Sequence, residues 1–272
     1  MAEFERIMKS KRKNDHKREE VISRQMLSNE RLEEIVQIVN EKHSVTNQEL
    51  KERLQASEST IRRDITALAA AGRVIKVHGG AMAVRKSVNA KDYDIADRRP
   101  QHAEAKRLIG QYAASLIHDD DLIYIDAGTS TEYLIESIPK THAVFVTNAV
   151  GHAKQLALKG LTVYIIGGQM KPVTEAIVGS ETLLSLNKYN FSKGFFGTNG
   201  ISLECGLTTP DINEAAVKAQ AVSRCKECYV LGDASKFDQI SSVTFARLEE
   251  VKILTEKIPF AYRKYSILEV GA

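Results

Sequence analysis

Asp126-Ala127-Gly128-Thr129-Ser130-Thr131 sets three hydroxyls beside a glycine, directly after the apolar run Leu122-Ile123-Tyr124-Ile125 and directly before helical spacing. Strand, hydroxyl-rich glycine turn and helix together make an anion-binding layout, because backbone N–H groups at a helix start and the adjacent hydroxyls donate toward one point. Further polar residues follow the next apolar runs: Thr147 and Asn148, Gly167 and Gly168, then Gly197, Thr198, Asn199 and Gly200. Such turns cradle a phosphate, while Asp126 and Asn148 suit sugar hydroxyls and Lys171, Lys218 and Lys236 are candidate charge partners. Gly, Asn, Asp and Thr after a strand also serve ordinary turns, so the argument rests on their convergence. No G-x-G-x-x-G follows a strand and no Walker A loop occurs, which disfavours a dinucleotide or P-loop site.

A second group suits a different anion. In Ser57-Glu58-Ser59-Thr60-Ile61-Arg62-Arg63-Asp64 the apolar positions Ile61, Ile65 and Leu68 form a buried helical stripe, which turns Ser59, Thr60, Arg62 and Arg63 the other way. Hydroxyls and guanidiniums at a helix start meet phosphates and base edges together. Upstream, Thr46 and Glu49 read as a capping box and Val45 and Leu50 as a hydrophobic staple, with too little chain before the Ser57 cap for anything but a turn. Gly72 ends the second helix, and Arg73 to Gly80 alternates as a strand and glycine turn, placing Arg73, Lys76 and His78 on a wing. Double-stranded DNA is the partner such a head implies.

The elements that position these groups follow from composition and pattern. With 272 residues and 43% hydrophobic side chains, the chain has room for a small head and one larger domain. Short apolar runs at Leu122–Ile125, Val144–Asn148, 161–168, 194–199, 229–233 and 251–255 are mostly separated by helical spacing, which predicts an α/β domain with a largely parallel sheet. Ligands of such sheets collect at the carboxyl ends of the strands. Residues 1–25 hold eight basic against five acidic side chains, which accounts for the whole formal net charge of +3. They read as a disordered basic extension, or as sequence upstream of the true start. From Ser57 to Lys86 six basic residues face two acidic ones, so the basic face is local. No apolar run is long enough to span a bilayer and no secretory signal is visible, so a cytoplasmic location and no membrane partner are expected. Cys225 and Cys228 form C-x-x-C with Cys205 as an outlying thiol, read as structural rather than as a metal site; no cofactor is expected.

These residues carry a resemblance. Residues 30–82, with Ser57 to Asp64 and His78-Gly79-Gly80-Ala81, resemble the winged helix of the DeoR family of bacterial sugar-operon regulators. Asp126 to Thr131, Thr147-Asn148, Gly167-Gly168, Gly197 to Gly200, Gly206 to Asp211, Glu214 to Lys218 and Asp233 to Phe237 resemble its sensor domain, itself similar to ribose-phosphate isomerases. The resemblance implies a repressor that binds operator DNA as a homo-oligomer, dimer or tetramer, and is released by a phosphorylated sugar. Within the family, Tyr124 to Thr129, 168–179 and Phe196 to Ile201 look like fructose operon repressors, which implies fructose 1-phosphate; lactose or tagatose repressors are the alternative. An isomerase with a DNA-binding head is the rival from another class, with Asp126, Asp211 or Glu214 as general base. The expected boundaries are residues 1–25 for the extension, 26–86 for the winged helix-turn-helix domain, 87–102 for a linker and 103–272 for the sensing domain.

Overall fold

Thr46 accepts the Glu49 N–H at 3.1 Å while the Glu49 carboxylate accepts the Thr46 N–H at 3.0 Å, so the reciprocal cap expected of this pair is formed. Those bonds, with Lys42 alongside, hold the Glu49 carboxyl down at about 2. The computed structural model describes residues 30–84, 88–89 and 95–271, and the basic extension 1–25 lies outside them. The chain divides into two compact units, Met1–Arg85 and Lys86–Ala272.

The first unit runs from a helix over residues 30–42 (α1) to strand β1 (Ser44–Thr46), helices α2 (Asn47–Leu54) and α3 (Glu58–Ala70), then strands β2 (Val74–Val77) and β3 (Gly80–Ala83). The strands form an antiparallel sheet in the order β1-β3-β2. Ile61, Ile65 and Leu68 are buried against Ile35, Val39, Val45 and Leu50, so stripe and staple share one core. Each such side chain contributes roughly 1.5–3 kcal/mol by leaving water. Gly72, at φ +68°, closes α3: its N–H reaches the Ala69 carbonyl at 3.0 Å and the Arg73 N–H reaches Leu68 at 2.9 Å, a pair of bonds that needs a left-handed residue.

The second unit opens with β4 (Val88–Asn89), α4 (Ile95–Arg98) and α5 (Ala103–Ser115), followed by β5 (Leu122–Ile125), α6 (Thr129–Ser137), β6 (Val144–Thr147), α7 (Val150–Leu158) and β7 (Thr162–Ile165). Then come β8 (Gln169–Met170), β9 (Ile177–Val178), α8 (Ser180–Leu186), β10 (Phe191–Gly197), β11 (Gly200–Ser202), β12 (Gly206–Thr209) and α9 (Ile212–Ser223). The chain ends with β13 (Cys225–Leu231), β14 (Ile240–Ser241), β15 (Val243–Ala246), β16 (Lys252–Thr255) and β17 (Ile267–Glu269). Seven strands make a parallel sheet in the order β17-β16-β13-β10-β5-β6-β7. Alternate residues enter opposite cores: Ile123, Ile125, Phe195 and Leu231 pack with α5, α6 and α7, while Tyr124, Phe196 and Val230 pack with α8 and α9. That two-sided burial is why the strands read as unbroken apolar runs.

The chain moves from β5 through β6 to β7 on one side, and β10 returns to the other side of β5. Between the carboxyl ends of β5 and β10 the winding reverses, which opens a crevice at that rim. A smaller antiparallel sheet, β11-β12-β15, follows β10, and β14 pairs in parallel with β4. The segment expected to be only a linker therefore supplies a strand to this unit. Among the described residues no helix is long and apolar enough to cross a membrane.

Candidate functional site

The crevice is a cavity of about 380 Å³. From the expected set, Gly128, Thr129, Ser130, Gly197, Asn199, Glu214, Lys218 and Lys236 line it. Gly128 caps the nine-residue α6 without any side-chain cap bond, leaving the N-terminal N–H groups of α6 to the cavity. Thr129 and Ser130 follow, and their hydroxyls make no hydrogen bond among the described residues. Thr131, one residue on, faces inward instead: its Oγ1 donates to the Asp126 and Gly128 carbonyls at 2.7 and 2.8 Å and lies 3.0 Å from His152 Nε2.

Other expected residues hold the rim together without lining the cavity. Asp126 is buried and bonded to Lys218, and its Oδ2 accepts the Gly197 N–H at 3.2 Å. Burial pushes its carboxyl above the usual range, an effect that the Lys218 ammonium partly offsets. Asn148 is spent on the Ala127 N–H (3.1 Å) and the Ile177 carbonyl (3.2 Å), which joins β5 to β9. Lys171 pairs with Asp211 at 3.0 Å and Glu214 at 2.9 Å. Gly168 is a glycine for packing reasons: at φ +153° an added Cβ meets the Val178 carbonyl at 2.7 Å. Gly200 likewise leaves no space, with Thr208 Oγ1 at 2.7 Å from such a Cβ.

Arg98, Gln101, His102, Lys106, Ala127, Thr174, Thr198, Ser235, Gln239 and Ser241 complete the lining. Most of these were not singled out from sequence, and Lys106 could have been. It falls three residues before Ile109 and seven before Ala113, on the buried stripe of α5, where a lysine is out of place. It is 3% exposed, and its Nζ donates to the Arg98 carbonyl at 2.6 Å. Burial, then the neighbouring Lys236, lower its pKa to about 8. Burial and the neighbouring cations outweigh Asp233 and Glu132, so an anion brought beside Lys106 favours its charged form.

On the other unit Ser59, Arg62, Arg63, Lys76 and His78 are exposed and Thr60 half-exposed. Ser57 caps α3, with its Oγ 3.2 Å from the Thr60 N–H and 2.9 Å from the Ser59 and Thr60 hydroxyls. Arg62 pairs with Glu58 at 2.6 Å, and Lys76 donates to Thr66 at 2.9 Å, tying wing to helix. His78 and Gly79 form the tight turn of the wing, Gly79 at φ +82°. Arg73, expected on the DNA-facing wing, makes two 2.6 Å bonds from its guanidinium to Glu33, clamping the wing to α1.

Comparison with known proteins matches residues 31–87 to the DeoR-like helix-turn-helix domain and residues 101–257 to the DeoR C-terminal sensor domain. The chain belongs to the DeoR family. Among DeoR-type relatives, an uncharacterized HTH-type transcriptional regulator FruR of Bacillus subtilis (strain 168) is 40% identical over 90% of this chain and 99% of its own length. The lactose phosphotransferase system repressor of Streptococcus mutans is 34% identical over 84% of this chain and 92% of that protein. Of solved structures, ribose 5-phosphate isomerase A of Methanocaldococcus jannaschii matches half of this chain and 55% of its own, at TM-score 0.39 and 13% identity. A likeness that slight says nothing about activity.

Proposed function

We propose that this DeoR-family regulator represses a sugar-utilisation operon, that of fructose in the first instance, and leaves its operator when a phosphorylated sugar such as fructose 1-phosphate fills the cavity. The observation that carries this reading is the combination at the rim of β5 and β10: the start of α6, two unbonded hydroxyls, and Lys106 and Lys236 together. That combination binds a phosphoryl group. Asn199, Glu214 and Lys218 line the same cavity and suit the hydroxyls of a sugar, and the volume falls within the usual range for small ligands, roughly 300–1,000 Å³. A regulator that addresses two operator half-sites works as a twofold homo-oligomer, which supports a dimer or tetramer.

Turnover is disfavoured on the same geometry. The Asp211 carboxyl is held below its usual range by the Glu214 N–H and Lys171, which weakens it as a base, while Asp126 and Glu214 are tied to Lys218 and Lys171, a pairing that a sensor needs equally. The identity to lactose phosphotransferase system repressors favours a second reading, in which the operon serves lactose or tagatose. Thermal shift against fructose 1-phosphate, fructose 6-phosphate and tagatose phosphates, then operator gel shifts with the stabilising compound, decides between them. The expected result is stabilisation by fructose 1-phosphate and loss of the shifted band. Stabilisation by a tagatose phosphate alone selects the second reading, and operator binding indifferent to every phosphosugar overturns both.

A further inference from the structure

The wall of the cavity nearest the N-terminus in sequence is the chain that follows the DNA-binding unit. Arg98 ends α4, and His102 and Lys106 lie at the start of α5; all three line the cavity. Lys106 Nζ holds the Arg98 carbonyl at 2.6 Å, and Arg99 is bonded through Nε to Glu132 of α6 at 2.9 Å, so residues 95–102 are fastened to both helices beside the cavity. Arg98 Nε is buried with no hydrogen-bond partner among the described residues, an expensive state for a guanidinium. Lys236, across the cavity, makes no side-chain hydrogen bond or ion pair among the described residues. Three cations thus converge beside the N-terminus of α6, one of them with an unsatisfied donor and another buried on a lone carbonyl.

Resting on the reading of this cavity as the effector site, we propose that the effector's phosphoryl group binds between Lys106, Lys236 and the Arg98 Nε–H at the start of α6, so that the linker is itself part of the phosphate subsite. The phosphoryl oxygens compete with the Arg98 carbonyl for Lys106, and a shift of the Arg98 side chain brings its orphaned, buried guanidinium donor to them. Both changes act on the last residue of α4, and sugar occupancy thereby alters the hold on the segment that follows the DNA-binding unit. The sugar reaches the head through the chain it binds, with no contact to DNA.

Calorimetric titration of the full chain with fructose 1-phosphate, fructose and inorganic phosphate tests this, using Lys106→Met and Arg98→Gln beside the unsubstituted protein. Each variant is expected to weaken fructose 1-phosphate by about tenfold to a hundredfold, the range for one hydrogen bond to a charged group. Inorganic phosphate competes, and fructose binds far more weakly. The groups facing Lys106 are Lys236 and Asp233 from the turn after β13, Arg98 from α4 and Glu132 from α6, with His102 on its own helix. Phosphate is already a dianion above pH 7.5. Because the empty-site Lys106 loses its proton near pH 8, affinity is expected to fall from pH 7.5 to 9.5, and Lys106→Met to flatten that profile. Hydrogen exchange over residues 95–102 should change on adding fructose 1-phosphate. Unaltered affinity in both variants, or exchange there insensitive to bound ligand, overturns the linker subsite while the effector reading stands. Failure of every phosphosugar to bind the unsubstituted chain removes both.

Discussion

Arg62 and Arg63 differ in what each must give up to meet DNA. Arg62 is held by Glu58 one turn earlier, both exposed, whereas Arg63 has no ion pair among the described residues. An exposed pair of this kind is worth less than about 1 kcal/mol, so DNA phosphate displaces Glu58 readily. Arg62→Ala and Arg63→Ala are both expected to weaken operator binding without lowering the melting temperature. If the lost contact is to phosphate, the slope of log K against log salt falls by about 0.9 for each. Gel shifts at three salt concentrations check this, and unchanged affinity in both variants removes α3 from the DNA interface. A parallel contrast holds at the start of α6, where Thr129 lines the cavity and Thr131, two residues on, faces inward. Thr129→Val keeps the shape and deletes an unbonded hydroxyl, so operator binding should persist while release by phosphosugar needs about tenfold more ligand. Release at the normal concentration counts against a ligand contact there.

At the scale of elements, the Thr131–His152 contact joins α6 to α7, and burial lowers the His152 pKa from 6.5 to about 4. The unfolded chain then binds more protons than the folded one between those values. Stability is complete above pH 6.5 and declines as pH falls toward 4, by about 3 kcal/mol for this group at 1.36 kcal/mol per unit. Denaturant melts across that window check it; a His152→Gln protein that declines just as steeply assigns the loss elsewhere. Gly168 and Gly200 show where sequence reading stopped. Both were grouped with the effector turns, yet a Cβ at either collides with neighbouring backbone or side chain. Gly168→Ala is expected to lower the melting temperature of the sensor unit, with phosphosugar affinity unchanged at temperatures where it stays folded. Loss of affinity in a fully folded variant reverses that assignment. A glycine that cradles a ligand and one that yields to a packed strand look alike as letters, because the difference lies in what approaches from elsewhere in the chain. The seven-stranded sheet was largely legible, since residues such as Ile123 and Tyr124 are apolar on both faces. The caps were legible because Thr46, Glu49 and Gly72 act within one turn of themselves. The Arg73–Glu33 pair was not legible for the opposite reason, its two members being 40 residues apart.

For the molecule as a whole, the proposed function makes operator and effector two ligands of one chain, and their effects on each other are then bound by thermodynamics. If phosphosugar lowers operator affinity by some factor, saturating operator must lower phosphosugar affinity by the same factor. Couplings of this kind are typically about 5- to 150-fold. The location of the coupling then decides which substitutions change the factor. Thr129→Val removes binding energy without touching the linker, so it weakens the effector with and without operator present, and the ratio stays the same. Arg98→Gln alters the segment that follows the DNA-binding unit, so it is expected to shrink the ratio toward one as well as weaken the effector. Titrating fructose 1-phosphate into each protein, alone and with saturating operator duplex, gives the four affinities needed. Equal ratios in the two variants place the coupling outside residues 95–102, whereas a ratio lost only in Arg98→Gln shows that the effector works through the chain it grips.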